Sequence, residues 1–222
     1  MSGDTVLVVA PHPDDEILGC GGVVARHAAK GDEVHVVIVT RGIPELFAPS
    51  LIEKTREEAR AASQLLGVSD LRFLDFPAPR LDVVASHELA DSIRAIIDAT
   101  QPNIVYLPHQ GDLHADHRAV HRATLVAARP VSACPVLRLL CYECPSETEW
   151  GSPEECFVPT VFVDISVYLQ TKQKALACYQ TQLKAPPHSR SLQTIEHLAR
   201  LRGSTISVDA AEAFVLVREI LK

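Results

Sequence analysis

Four short runs of β-type residues, at positions 5–10, 33–40, 71–76 and 103–107, are each followed by a stretch with helical periodicity. That alternation is the signature of βαβ units and implies an α/β fold, a Rossmann-like, doubly wound, mostly parallel sheet with helices on both faces. Val6-Leu7-Val8-Val9 and Val34-His35-Val36-Val37-Ile38-Val39 are nearly continuous in apolar, β-branched residues, as strands covered on both sides require. Helices are expected at 18–30, stopping at Gly31, at 50–66, stopping at Gly67, and at 86–99, with Ser86 as the cap. Beyond residue 135 the pattern changes to strands at 136–143 and 160–163, separated by a loop rich in Pro and Glu, and then to three helical stretches running to Lys222. A chain of 222 residues, 47% hydrophobic, can bury one sizeable core, so residues 1–222 are read as a single domain.

Chemistry concentrates directly after two of these strands. Pro11-His12-Pro13-Asp14-Asp15-Glu16 follows the first, and Pro108-His109-Gln110-Gly111-Asp112-Leu113-His114-Ala115-Asp116-His117 follows the fourth. Three acids in three residues repel one another, and a bound cation is the simplest offset. In a doubly wound sheet the first and fourth strands commonly lie side by side where the winding reverses, and the crevice outside their carboxyl ends is the binding site. About three good N/O ligands therefore reach one crevice, the number that leaves a catalytic metal an open position. Zn²⁺, Mn²⁺, Fe²⁺ or Co²⁺ all suit such ligands. Taken alone, the first cluster could be a polar turn with an Asp helix cap. Gly19-Cys20-Gly21-Gly22 lacks GxGxxG spacing and is read as close packing of the first helix.

Composition narrows the partners. Lysine plus arginine number 21 against 28 acids, a net charge of −7, which offers no electrostatic footprint for nucleic acid. No apolar run approaches the roughly 20 residues that span a bilayer, and no signal-peptide pattern stands at the start, so a soluble, cytoplasmic protein is expected. Six cysteines are too few for a disulfide scaffold and are expected reduced, the Cys141/Cys144 pair being structural.

The two clusters together resemble the PIG-L/LmbE-like family of zinc-dependent deacetylases, which hydrolyse N-acetyl groups on amino sugars, among them glucosaminyl intermediates of mycothiol, bacillithiol and glycolipid anchors. Arg56-Glu57, Tyr142-Glu143, Glu149-Trp150, Arg202-Gly203 and Ala211-Glu212-Ala213-Phe214 add to the similarity. By that resemblance His12, Asp15 and His117 are the zinc ligands and Asp14 is the base that takes a proton from the attacking water. His114 stabilises the oxyanion or protonates the leaving amine, with Asp116 or Asp112 orienting its ring. Glu16 supports the ligands from behind. Arg56, Asp112, Glu143 and Trp150 are candidate contacts for the sugar substrate, and a homo-oligomer, trimer or hexamer, is implied.

His109, His121 and His188 are read as lying outside the core site, and His27, His35, His87 and His197 as structural. Arg190, Arg200 and Arg202 could form a solvated helix face, a subunit contact or a clamp for an anionic substrate. Two other functions are consistent with the residues: deacylation of another small N-acyl metabolite, such as an antibiotic intermediate or nucleotide-linked sugar, and a silent metal-binding module. The second needs only the three ligands and leaves Asp14, His114 and Asp116 without a purpose.

Overall fold

A computed structural model describes residues 3–131 and 133–221. Its first half runs β1 (Thr5–Ala10), α1 (Asp15–Ala29), β2 (Glu33–Gly42), α2 (Pro49–Leu66), β3 (Asp70–Ala78), α3 (Ser86–Thr100), β4 (Ile104–Pro108) and α4 (Ala115–Ala127). The second half contributes β5 (Arg138–Tyr142), β6 (Val161–Asp164), α5 (Leu169–Cys178), α6 (Leu192–Thr205) and β7 (Ala211–Glu219). The strands form one sheet in the order β3-β2-β1-β4-β5-β7-β6. β1 pairs in parallel with both β2 and β4, so the winding reverses between β1 and β4 as expected.

Alternating side chains of the central strands build two apolar layers. Val6, Val8 and Ala10 of β1 pack with α1, α2 and α5, whereas Leu7 and Val9 pack with α3 and α4. Strands buried on both faces explain the apolar runs of β1 and β2. α1 lies close to the sheet because its glycines permit it: a Cβ at Gly19 would come within 2.3 Å of the Tyr142 ring, and one at Gly22 within 2.6 Å of Ile165. Alongside this bare stretch, the buried Glu212 carboxylate accepts the Gly22 and Val23 N–H groups at 2.8 and 2.7 Å and pairs with Lys172 Nζ at 2.6 Å. Lys172 also donates to the Leu18 carbonyl at 2.8 Å, so one ion pair ties α1, α5 and β7 together.

Three expectations are corrected. The last of the expected helical stretches is strand β7, antiparallel to both β5 and β6 and hydrogen-bonded along both edges. Its Ala-Glu-Ala start favours a helix locally, but the two open sheet edges beside it supply partners for its whole backbone, and tertiary pairing overrides propensity. Lys222 lies outside the described residues. Ser86 is the first residue of α3, not its cap, for Ala85 holds the cap position without a side-chain bond. Finally, α1 begins at Asp15, three residues before the expected start, which draws the acidic cluster into the helix's first turn.

Candidate active site and metal centre

The turn after β1 and the loop after β4 leave neighbouring parallel strands at their carboxyl ends, and their side chains meet. His12 Nδ1 lies 3.3 Å and His117 Nε2 3.2 Å from one atom, Asp15 Oδ2. Ligands about 2.1 Å from a tetrahedral ion stand about 3.4 Å from one another, so these two separations suit such a site, and ligand atoms of the three residues all lie within 4.8 Å of one another. His117 Nε2 is fully buried and, although Asp15 Oδ2 lies 3.2 Å away, has no hydrogen-bond partner among the described residues. A buried ring nitrogen without a partner is costly, and a cation is the group that would satisfy it. The donor set of two imidazoles and a carboxylate fits a divalent transition metal.

Each of the two imidazoles is oriented by a carboxylate on its far nitrogen. His117 Nδ1 lies 2.8 Å from Asp112 Oδ2, both side chains being wholly buried, and His12 Nε2 lies 3.0 Å from Asp116 Oδ2. Asp112 is held in turn by the Thr148 hydroxyl at 2.6 Å, and Asp116 by the Leu81 N–H at 2.9 Å. Paired carboxylates of this kind fix the tautomer and ring plane of a metal-binding histidine. They do not orient His114 as expected: Asp116 Oδ2 stands 4.0 Å from His114 Nδ1, which instead accepts the Asp116 backbone N–H at 3.1 Å. That acceptor role places the His114 proton on Nε2. Asp15 itself accepts the His12 backbone N–H at 2.8 Å and the Cys144 thiol at 3.0 Å.

The electrostatics reflect a pocket short of positive charge. Burial alone would depress His117, but the carboxylates of Asp15 and Asp112 outweigh it and push the ring up to about 10. His12 is also raised, its bonds to Asp116 and Asp15 outweighing burial. Both rings thus stand where the surrounding carboxylates favour positive charge. Asp14, 2% exposed, is pushed up to about 7 by burial and then by the neighbouring Asp15 charge, with Arg190 pulling the other way. Burial and the nearby His12 push His114 down to about 4, so its ring is neutral at neutral pH. Glu16 is raised to about 8, chiefly by burial; it accepts the Tyr179 hydroxyl at 2.5 Å and the Asp14 N–H at 3.1 Å. That second bond braces Asp14 at φ 109°, a left-handed conformation that a non-glycine residue adopts at a cost.

Asp14, His12 and His114 open onto a cleft of about 280 Å³ whose far wall carries Arg41, Phe47, Leu51 and Arg56. The Arg56 guanidinium stacks on Phe73 and pairs with Asp75. The other expected substrate contacts stand elsewhere. Asp112 has no exposed surface and serves His117. Glu143 forms a two-point ion pair with Arg202 at 2.8 and 2.6 Å, away from the cleft. Trp150, 56% exposed, is not among the residues lining the cleft. His109 bonds the Glu155 carbonyl, and His121 bonds the Pro108 carbonyl. All six cysteines are free.

Several site residues escaped the sequence reading. Cys144, Glu147, Thr148 and Tyr179 come from segments 129 residues or more along the chain from Asp15, or over 30 from Asp112. The loop with Cys144, Glu147 and Thr148 meets the loop after β4 backbone to backbone, for a Cβ on Gly151 would lie 1.9 Å from the Gly111 carbonyl oxygen, and Tyr179 arrives at the end of α5. Arg190, read as one of three open possibilities, lines the cleft and contacts Asp14 at 3.4 Å. Arg200 pairs with Glu196 on its own helix.

Known proteins resemble the chain in sequence and in fold. The family model for PIG-L, GlcNAc-PI de-N-acetylase, matches residues 7–128, the span from β1 through α4 that carries both clusters but neither Glu147 nor Arg190. An uncharacterized deacetylase of Escherichia coli K12 is 34% identical, over 77% of this chain and 88% of its own. A 1D-myo-inositol 2-acetamido-2-deoxy-alpha-D-glucopyranoside deacetylase of Actinosynnema mirum is also 34% identical, over 80% of each chain. A conserved protein of Thermus thermophilus superposes with a TM-score of 0.80 at 28% identity, covering 99% of this chain and 97% of its own. On the match of more than half its length and on these relatives, the chain belongs to the PIG-L family of amino-sugar de-N-acetylases.

Proposed function

We propose that this protein removes the acetyl group from an N-acetylglucosaminyl compound, with His12, Asp15 and His117 holding Zn²⁺, Asp14 as base and His114 as the donor to the carbonyl oxygen. The reaction class, hydrolysis of an amide C–N bond by a deacetylase, is that of the family. The observation that carries the residue assignment is that Asp14 and His114 face one cleft at the point where the orphaned His117 Nε2 meets Asp15 and His12. A cation held there would supply Lewis acidity, polarising the carbonyl and bringing the pKa of a water down to about 7.

The residues of the chain account for the proton movements. Asp14 takes a proton from the attacking water as its oxygen bonds the acetyl carbon, and returns that proton to the amine nitrogen as the C–N bond breaks. One proton is thus taken and given back, leaving acetic acid and a free amine, and at neutral pH the acid gives up its remaining proton to the amine or to solvent. His114, neutral with its proton on Nε2, donates a hydrogen bond to the developing oxyanion, a role that does not call for an imidazolium. Asp112 and Asp116 keep His117 and His12 in the tautomers that present a lone pair to the ion. Arg56 and Arg41 on the far wall suit hydroxyl or anionic groups of the sugar and its aglycone.

Among the described residues no helix is long and apolar enough to cross a membrane. Six free cysteines support a place in a reducing compartment such as the cytoplasm. The test is to purify the protein without chelator and measure bound metal by elemental analysis together with acetate release from a panel of N-acetylated sugars. Near one equivalent of zinc with chelator-reversible release is the expected result. Failure to bind metal after reconstitution, or no release from any amino sugar with metal bound, would overturn the proposal.

A further inference from the structure

We propose that Arg190, held by Glu147, is a positioning residue that sets the Asp14 carboxylate for proton transfer; the inference rests on the reading of Asp14 as the base. Asp14 stands in a strained left-handed conformation, and its backbone is braced through the N–H by Glu16. Its carboxylate needs a restraint of its own, because a side chain free to rotate would present either oxygen, or neither, to a water in the cleft. Arg190 Nη1 approaches Oδ2 at 3.4 Å, and among the described residues no side chain bonds Oδ1. The contact therefore occupies one oxygen and leaves the other for the reaction.

Arg190 is itself fixed. Its Nε donates to Ser146 Oγ at 3.2 Å, and its Nη2 approaches Glu147 Oε1 at 3.5 Å. Ser146 Oγ is hydrogen-bonded to Ser189 Oγ at 2.7 Å, which closes the loop beside the arginine. The second oxygen of Glu147 accepts the His114 backbone N–H at 3.1 Å. One carboxylate thereby spans the site: through one oxygen it steadies the arginine that contacts the base, and through the other the backbone that carries the oxyanion donor. Base and donor reach the cleft from different loops, so their separation is set by this bridge as well as by the sheet.

An arginine lining a cleft could instead bind an anionic part of the substrate, and a purely structural arginine would act on stability. Kinetics of the metal-loaded enzyme separate the three. With an N-acetylglucosaminyl substrate, Arg190→Ala is expected to lower kcat about 100-fold, the scale of a misplaced catalytic group, while KM and bound metal stay at wild-type values. Arg190→Lys should fall between, and guanidinium ion added below the unfolding transition should restore part of the Arg190→Ala rate. In an Asp14→Asn background Arg190→Ala should cost nothing further, since the group it positions is already absent. A change in KM alone, an unchanged kcat, or a loss that multiplies with that of Asp14→Asn would overturn the proposal. Should Arg190→Ala fail to fold, Arg190→Lys and Glu147→Gln carry the same test through kcat against KM. An Asp14→Asn enzyme of full activity would sink the reading of the base instead, a different result from an inert Arg190.

Discussion

Replacing Asp112 by Asn tests whether a buried negative charge, and not merely a hydrogen bond, holds the metal site together. Asp112 accepts from His117 Nδ1 at 2.8 Å and from the Thr148 hydroxyl at 2.6 Å, and neither Asp112 nor His117 has any exposed surface. An Asn of the same shape can keep both contacts, its amide oxygen accepting from His117 and its NH₂ donating to a Thr148 hydroxyl that rotates to accept. What disappears is the charge that makes the His117 ring a better ligand, and no water can enter to replace it. Loss of such a supporting carboxylate typically weakens metal binding by about 10–100-fold. At about 1.4 kcal/mol per decade that corresponds to about 1.4–2.8 kcal/mol. Titration of zinc against a chromophoric chelator at constant pH reads the constant directly, and a thermal melt of the metal-free variant checks that it folds. A folded Asp112→Asn protein whose zinc affinity stays within threefold of wild type would refute the reasoning, for the charge would then contribute nothing at His117.

Asp14→Asn should keep its metal and lose hydrolysis by about 10²–10⁴-fold, whereas His117→Ala should lose the metal itself; elemental analysis beside acetate release distinguishes them, and equal metal loss in both would reverse the assigned roles. Burial and Asp15 push the Asp14 carboxyl up to about 7 in the metal-free protein and a bound cation would lower it, so with Asp14 as the proposed base kcat/KM should climb with pH through a value no higher than about 7 and level off above it. A kcat/KM that falls as pH rises from about 5 to about 7 would contradict that role. Metal binding should release protons and tighten as pH rises, since His117 in the metal-free protein stays protonated up to about 10; calorimetry in buffers of different ionisation enthalpy counts them. In the metal-free protein the same raised His117 contributes stability that is complete below its unfolded value near 6.5 and fades as pH passes through about 10. Glu212→Gln should destabilise the protein by about 3–5 kcal/mol by leaving the Lys172 ammonium, 3% exposed, without its counter-charge. Urea unfolding measures this, and a loss under about 1 kcal/mol would refute the prediction.

The sequence by itself determined the part of this protein that is periodic or local. Four apolar strands alternating with helices specify the parallel core, because a strand covered on both faces must be apolar throughout, and the two acid and histidine clusters fall at strand ends where that topology places a site. The two clusters that hold His12, Asp14, Asp15, His114 and His117 were legible for that reason, each being a contiguous run in which expensive charge in a turn stands out, whereas the role of each residue came from the family resemblance. Tertiary structure alone decided the rest. Strand β7 exists because β5 and β6 leave a gap with two open edges, a condition no local pattern encodes. The partners of the carboxylates were likewise unreadable: Asp116 serves His12, 104 residues away, and Cys144 reaches Asp15 across 129. Glu147 and Arg190 look in the sequence like ordinary loop charges, and they become part of the site only because the loops after β5 and before α6 fold over the cleft beside Asp14. Contiguous motifs announce the groups that do chemistry, whereas the groups that aim them are single residues brought from a distance, and only packing decides where those arrive.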